Sequence, residues 1–192
     1  PAVFARNQEP RHIPFVPYSN LSDALEDDWN ASPFYQSLNG TWNFKWFANP
    51  AEVPENIHVG KAVPWFRNII QVPSCWQMEG YGHPKFRNVH QPFPATPPKV
   101  PEDYNPVGIY KKTFSISEDW DDRQVFLHFE GVKSASYVWI NGEKVGYDQG
   151  GMEQAEYDIT SYLQKGTNSI TVQVFRYCDG TYLECQDMWR LS

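Results

Sequence analysis

Sixteen prolines and twelve glycines are spread through 192 residues, leaving little uninterrupted chain in which a long helix could form. Proline inside a helix removes a hydrogen bond and clashes with the preceding turn, and glycine there is disfavoured entropically. The densest run is 91–106, with prolines at 92, 94, 97, 98, 101 and 106. Such a segment lacks the donors that a helix or a central strand requires, so it reads as a stiff, extended loop. A chain punctuated in this way favours short strands joined by loops.

Alternation of apolar and polar residues supplies those strands. Trp42, Phe44 and Trp46 face one way between polar neighbours, and Ile69-Ile-Gln-Val-Pro-Ser is a shorter candidate. Tyr110, Lys112, Phe114 and Ile116 share one face; Val125, Leu127 and Phe129 share another, which puts His128 on the outer side. The strongest local signal is Ser136 to Tyr147, broken by Asn141-Gly142, a dipeptide that tolerates the positive φ angles of a type I′ hairpin. Asp158 to Leu163 reads as a single helical turn. The last strand turns Ile170, Val172 and Val174 inward, with Thr171 and Gln173 outward. Residues 1–36 carry a short acidic patch from Asp23 to Asp28 and no sustained alternation, and are expected to form an irregular arm over one domain of residues 37–192. Many short strands with almost no helix predict an all-β, two-sheet sandwich.

Composition narrows the function. A net charge of −7, with sixteen scattered Lys and Arg, argues against nucleic acid and against anionic membranes. No apolar run reaches the roughly 20 residues that span a bilayer, and the first residues carry no signal-peptide core. A cytoplasmic host compartment is favoured over a periplasmic one. Cys75, Cys178 and Cys185 form no Cys-x-x-Cys pair and read as free thiols, and the five histidines show no i, i+4 pair. Eight Trp, eleven Tyr and twelve Phe imply a core dominated by rings.

The final stretch, Phe175-Arg-Tyr-Cys-Asp-Gly-Thr-Tyr-Leu-Glu-Cys-Gln-Asp-Met-Trp-Arg-Leu-Ser192, interleaves acids, amides and aromatics without a regular period. That mixture suits a sugar, whose hydroxyls bond to carboxylates and amides and whose C–H face packs on a ring. Asp179, Glu184, Gln186, Asp187, Tyr182 and Trp189 provide both kinds. The stretch resembles a motif of the large β-galactosidases of glycoside hydrolase family 2, near the end of their N-terminal sugar-binding domain. Ser37 to Phe47, Val72 to Gly82, Asn105 to Tyr110, Phe129 to Val132 and Trp139 to Gly142 resemble that domain in the same order.

The resemblance implies a jelly-roll sandwich that packs on a catalytic (β/α)₈ barrel absent from this chain and pushes two loops into its pocket. Asp187 matches an aspartate that bonds galactose hydroxyls and helps ligate sodium; Asn105 matches an asparagine that contacts the same sugar. Read on their own, Asn105 could simply make a turn and Asp187 could cap one. Structural roles are expected for Asp179, Glu184, Trp76 and Gln77, and Trp189 either stacks on sugar or packs on the barrel. Glu184 and Asp187 are not assigned as a catalytic pair, because the family's catalytic glutamates belong to the barrel. The chain departs from the pattern it resembles at Cys75, Cys178, Cys185 and Gln91. The implied parent is a retaining, homo-oligomeric β-galactosidase that uses sodium and magnesium and acts on terminal non-reducing β-D-galactosides. No cofactor is expected in this fragment, which alone should hydrolyse nothing. A free-standing carbohydrate-binding module, a structural scaffold, and the same domain of a β-glucuronidase or β-mannosidase are the alternatives. Without the barrel, residues 178–192 are expected to be mobile.

Overall fold

A computed structural model of the chain describes residues 3–59, 68–84, 93–151 and 153–184. In chain order the elements are β1 (Ala5–Arg6), α1 (Leu21–Glu26), β2 (Gly40–Phe47), β3 (Asn68–Val72), β4 (Val107–Ser115), β5 (Phe126–Phe129), β6 (Ala135–Ile140), β7 (Glu143–Asp148), β8 (Ala155–Asp158), β9 (Thr167–Phe175) and α2 (Thr181–Glu184). Seven strands form one sheet in the order β1-β7-β6-β9-β4-β2-β3, and β5 pairs with β8 in a second. Every pairing is antiparallel. The architecture is the all-β sandwich that the strand pattern anticipates.

The two sheets bury their facing side chains in one core. Leu127, Ala155 and Tyr157 of the small sheet join Trp42, Phe44, Ile70, Val138, Ile140, Val145, Ile170, Val172 and Val174 of the large one. Phe44, Val138, Tyr157 and Ile170 are completely buried, and the purely apolar Phe44, Val138 and Ile170 each contribute about 1.5–3 kcal/mol by leaving water. The β6–β7 hairpin turns as expected at Asn141 and Gly142, whose φ angles are 53° and 87°. A one-turn helix over Thr160–Tyr162 closes the segment after β8.

The structure departs from the sequence reading in two respects. Thr171, expected to face outward, is 1% exposed. The outer face of the large sheet is itself covered at its centre: Ile57 packs with Val107 and Ile109 beside Phe47, Val53 and Phe175, and His58 stacks on Trp139. The arm is also more regular than its composition suggests. Ala5–Arg6 adds an edge strand to β7, and the six-residue α1 is capped by Asn20, whose side chain accepts from the Asp23 amide at 3.0 Å.

Residues 7–12 of the arm are held by polar contacts. Asn7 donates to the Val145 carbonyl and Gln8 to that of Gln154, while the Glu9 amide donates to the Glu156 carbonyl. Arg11 pairs with Asp148 and Glu153. The His12 ring contacts the Ile13 carbonyl through Nδ1 and the Glu156 carboxylate through Nε2, and both contacts favour the protonated ring. His128 lies on the other side of the same carboxylate, 3.5 Å away.

Two outcomes are expected. Gly146 lies against Tyr157, and a Cβ there would fall 2.3 Å from the ring. Gly146→Ala should therefore destabilise the domain by about 1–3 kcal/mol, seen as a lower urea midpoint at unchanged slope; an unchanged midpoint would contradict this packing. A raised His12 pKa contributes stability that is complete below the ordinary histidine value and is lost as pH rises through the folded value. Tryptic cleavage at Arg11, normalised to an unfolded peptide, should then be slower at pH 5.5 than at pH 8.5, and His12→Gln should abolish the difference.

Candidate functional site

The pairing of β4 with β9 runs without a break from Val107↔Phe175 to Ser115↔Thr167. Continued one step further, it meets Pro106, which has no N–H to donate. The Pro106 carbonyl still accepts from the Arg176 amide at 2.9 Å. One step beyond, Asn105 lies level with Tyr177 and meets it through its side chain. Asn105 Nδ2 donates to the Tyr177 carbonyl, and Oδ1 accepts from the Tyr177 amide, both at 3.0 Å. A side-chain amide thus reproduces the reciprocal pair of bonds that an antiparallel backbone pair would make. Asn105 is 4% exposed and Tyr177 5%, so this clamp operates away from water.

The loop that follows β9 has two further anchors. Tyr147, at the end of β7, donates its hydroxyl to Gln149 Oε1 at 2.6 Å, and Gln149 Nε2 donates to Asp179 Oδ1 at 2.8 Å. The same carboxylate oxygen accepts from the Gly180 amide at 3.0 Å. Burial pushes the Tyr147 phenol up, with Cys178, Tyr137 and the carboxylates of Asp179 and Asp148 adding to the effect, so the hydroxyl stays protonated and donates. On the other side, Tyr182 bridges to the proline-rich loop. Its hydroxyl donates to the Lys99 carbonyl at 2.6 Å and accepts from the Thr96 amide at 3.1 Å, while Phe93 packs edge-on against both Tyr177 and Tyr182.

Within the loop, the hydroxyl of the fully buried Thr181 accepts from the Cys178 amide at 2.9 Å, and its own amide donates to the Cys178 carbonyl. Arg176 is 3% exposed and donates from Nη1 to the His83 carbonyl, tying the 76–83 turn to the root of the loop. Residues 178–184, the described part of the stretch 178–192 expected to be mobile, form a turn and the short helix α2, and their polar groups find partners within this chain.

Of the residues singled out in the sequence, Asn105 is placed at the loop root, and Asp179 is committed to Gln149 and Gly180. Trp76 and Gln77 are buried, at 3% and 6% exposure. Among the described residues, neither Cys75 nor Cys178 forms a disulfide. Gln91, Cys185, Gln186, Asp187 and Trp189 lie outside the described residues, and Glu184 is described only as the last residue of α2. Gln149 escaped the sequence reading, because nothing in its neighbourhood shows periodicity. Among the described residues, no group of three or more His, Cys, Asp or Glu side chains could hold a metal ion, and no helix is long and apolar enough to cross a membrane.

Residues 35–192 match the model of the glycosyl hydrolases family 2 sugar binding domain. The chain belongs to that family. It is 43% identical over 196 residues to a β-galactosidase of Priestia megaterium, covering 100% of this chain and 19% of that protein. It is 42% identical over 199 residues to a β-galactosidase of Pectobacterium atrosepticum, covering 100% of this chain and 18% of that one. This member of the family therefore spans less than a fifth of those relatives. The β-glucuronidase of Bifidobacterium dentium shares the fold at a TM-score of 0.52 and 21% identity, over 72% of this chain and 19% of the glucuronidase.

The Asn105 clamp makes a quantitative expectation possible. Asn105→Ala would leave the buried N–H and C=O of Tyr177 without these partners, at about 1–3 kcal/mol for each unsatisfied group. Urea unfolding should show a loss of roughly 2–6 kcal/mol, and a loss below about 0.5 kcal/mol would mean that water or another group replaces the side chain.

Proposed function

We propose that this chain is the sugar-binding domain of a retaining β-galactosidase that acts on terminal non-reducing β-D-galactosides. In this reading the domain lends Asn105 and Asp187 to recognition of the galactosyl unit. The observation that carries it is identity above 40% to β-galactosidases over the whole chain, together with a sandwich that anchors the motif-bearing loop beside Asn105. Two of the amide's hydrogen-bonding capacities are taken by Tyr177, which leaves one N–H and one lone pair for a sugar hydroxyl. A carboxylate at Asp187 would accept from two hydroxyls or ligate a hard cation.

Hydrolysis with retention needs two carboxyl groups roughly 5–5.5 Å apart across the scissile bond. The proposal assigns both to the remainder of the longer enzyme, a (β/α)₈ barrel in a homo-oligomer. Sodium at Asp187 and magnesium elsewhere belong to the same proposal, and no step of recognition runs through either. The 192-residue chain would then hold only part of a pocket.

Galactose or lactose titrated into the isolated chain should leave its tryptophan fluorescence unchanged, and no galactoside should be cleaved. In the full-length enzyme, Asp187→Ala should lower kcat/KM by roughly 10- to 100-fold, the range for losing hydrogen bonds to a charged group. Saturable sugar binding by the isolated chain would favour a free-standing module. Unchanged kinetics in the variant would favour a scaffold without sugar contacts.

A further inference from the structure

Asn105 fixes where the loop leaves β9, but a single point of attachment leaves its direction open. The direction is set one turn later by a relay whose polarity follows from chemistry. The Asp179 carboxylate only accepts, so the group facing it must be the Gln149 amide nitrogen. That turns Gln149 Oε1 toward Tyr147, whose hydroxyl can donate, and the observed distances are 2.8 and 2.6 Å.

Each member is held by something else. Gln149 is 6% exposed, and its backbone amide donates to the Phe4 carbonyl at 3.1 Å, just past the β1–β7 edge. Asp179 also receives the Gly180 amide. Gly180 lies so close that a Cβ there would meet Gln149 Nε2 and Cys178 Sγ, both at 3.4 Å. The relay therefore connects the end of β7 to the start of α2, independently of β4 and β9.

We propose that Gln149 is a positioning residue for the sugar-facing loop, its amide aligning Asp179 and thereby the path of residues 179–184 toward the galactoside. This rests on the proposed sugar contacts of that loop, and it assigns a role to a residue outside the motif. Gln149 touches no substrate. It acts by keeping the loop in one orientation, and small misplacements of a positioning element can lower rates by up to about 100-fold.

Gln149→Glu tests this with a nearly isosteric change. It preserves the acceptor for Tyr147 but sets one carboxylate against another at Asp179. Adding Asp179→Asn removes the like charge, and its amide nitrogen, turned toward Glu at 149, can donate there in place of the Gly180 bond. In the full-length enzyme, the single variant should show faster hydrogen exchange in the peptide spanning residues 176–184 and a kcat/KM reduced roughly tenfold. The double variant should recover both in part. A general loss of packing would not be rescued by a second substitution, so failure of the double variant to improve on the single one would overturn the proposal. Unchanged exchange in Gln149→Glu would overturn it as well. Exchange that rises and is rescued while kcat/KM never moves would instead overturn the sugar-facing reading on which the proposal rests.

Discussion

Everything at the site follows from the register between β4 and β9. These nine-residue strands form the middle of the large sheet, with β2 beyond β4 and β6 beyond β9. Once Val107 pairs with Phe175, Asn105 must lie level with Tyr177, and a shift of one residue would turn every inward side chain of either strand to the wrong face. Ile170, Val172 and Val174 on β9 resist that shift by being buried in the shared core. Pro106 then stops the backbone ladder where a side chain can take over. The result is a rigid origin for a loop of irregular composition, built from hydrogen bonds that water does not reach.

Much of the fold was legible because it depends on local rules. Alternation marked β2, β4, β5 and β9, and Asn-Gly marked the hairpin, since few other dipeptides accept positive φ at both turn positions. Proline density correctly kept residues 93–106 out of the named strands. Polar residues on β9 misled the reading where a second layer arrives from elsewhere in the chain. Thr171 and Ser169 are polar yet buried, because residues 53–58 and Trp139 cover that face, and no pattern within β9 records this. The edge strand at Ala5–Arg6 was invisible for a related reason: two residues cannot display a period.

The site was legible only in part. Motif composition pointed to the loop after β9 and the family resemblance to Asn105, and these meet at Tyr177. What composition could not show is that Asn105 is largely engaged in holding its neighbour, or that the loop is tied to Gln149 through Asp179 and to Thr96 and Lys99 through Tyr182. Those partners are separated from it by long stretches of chain, and only the closure of the sandwich brings them together. Cys178, one of the departures from the family pattern, is accommodated because its backbone rather than its side chain makes the strong bonds to Thr181.

The claim beneath all of this is that Asn105 extends the β4–β9 ladder by a side chain and so makes Tyr177 part of the sheet. Site-resolved amide hydrogen exchange of the unmodified chain tests it most directly. The Tyr177 amide should exchange as slowly as those of Val172 and Val174, because releasing it would require the sheet to open. Exchange of Tyr177 at the rate of exposed loop amides would contradict the clamp, and with it the origin assigned to the loop after β9.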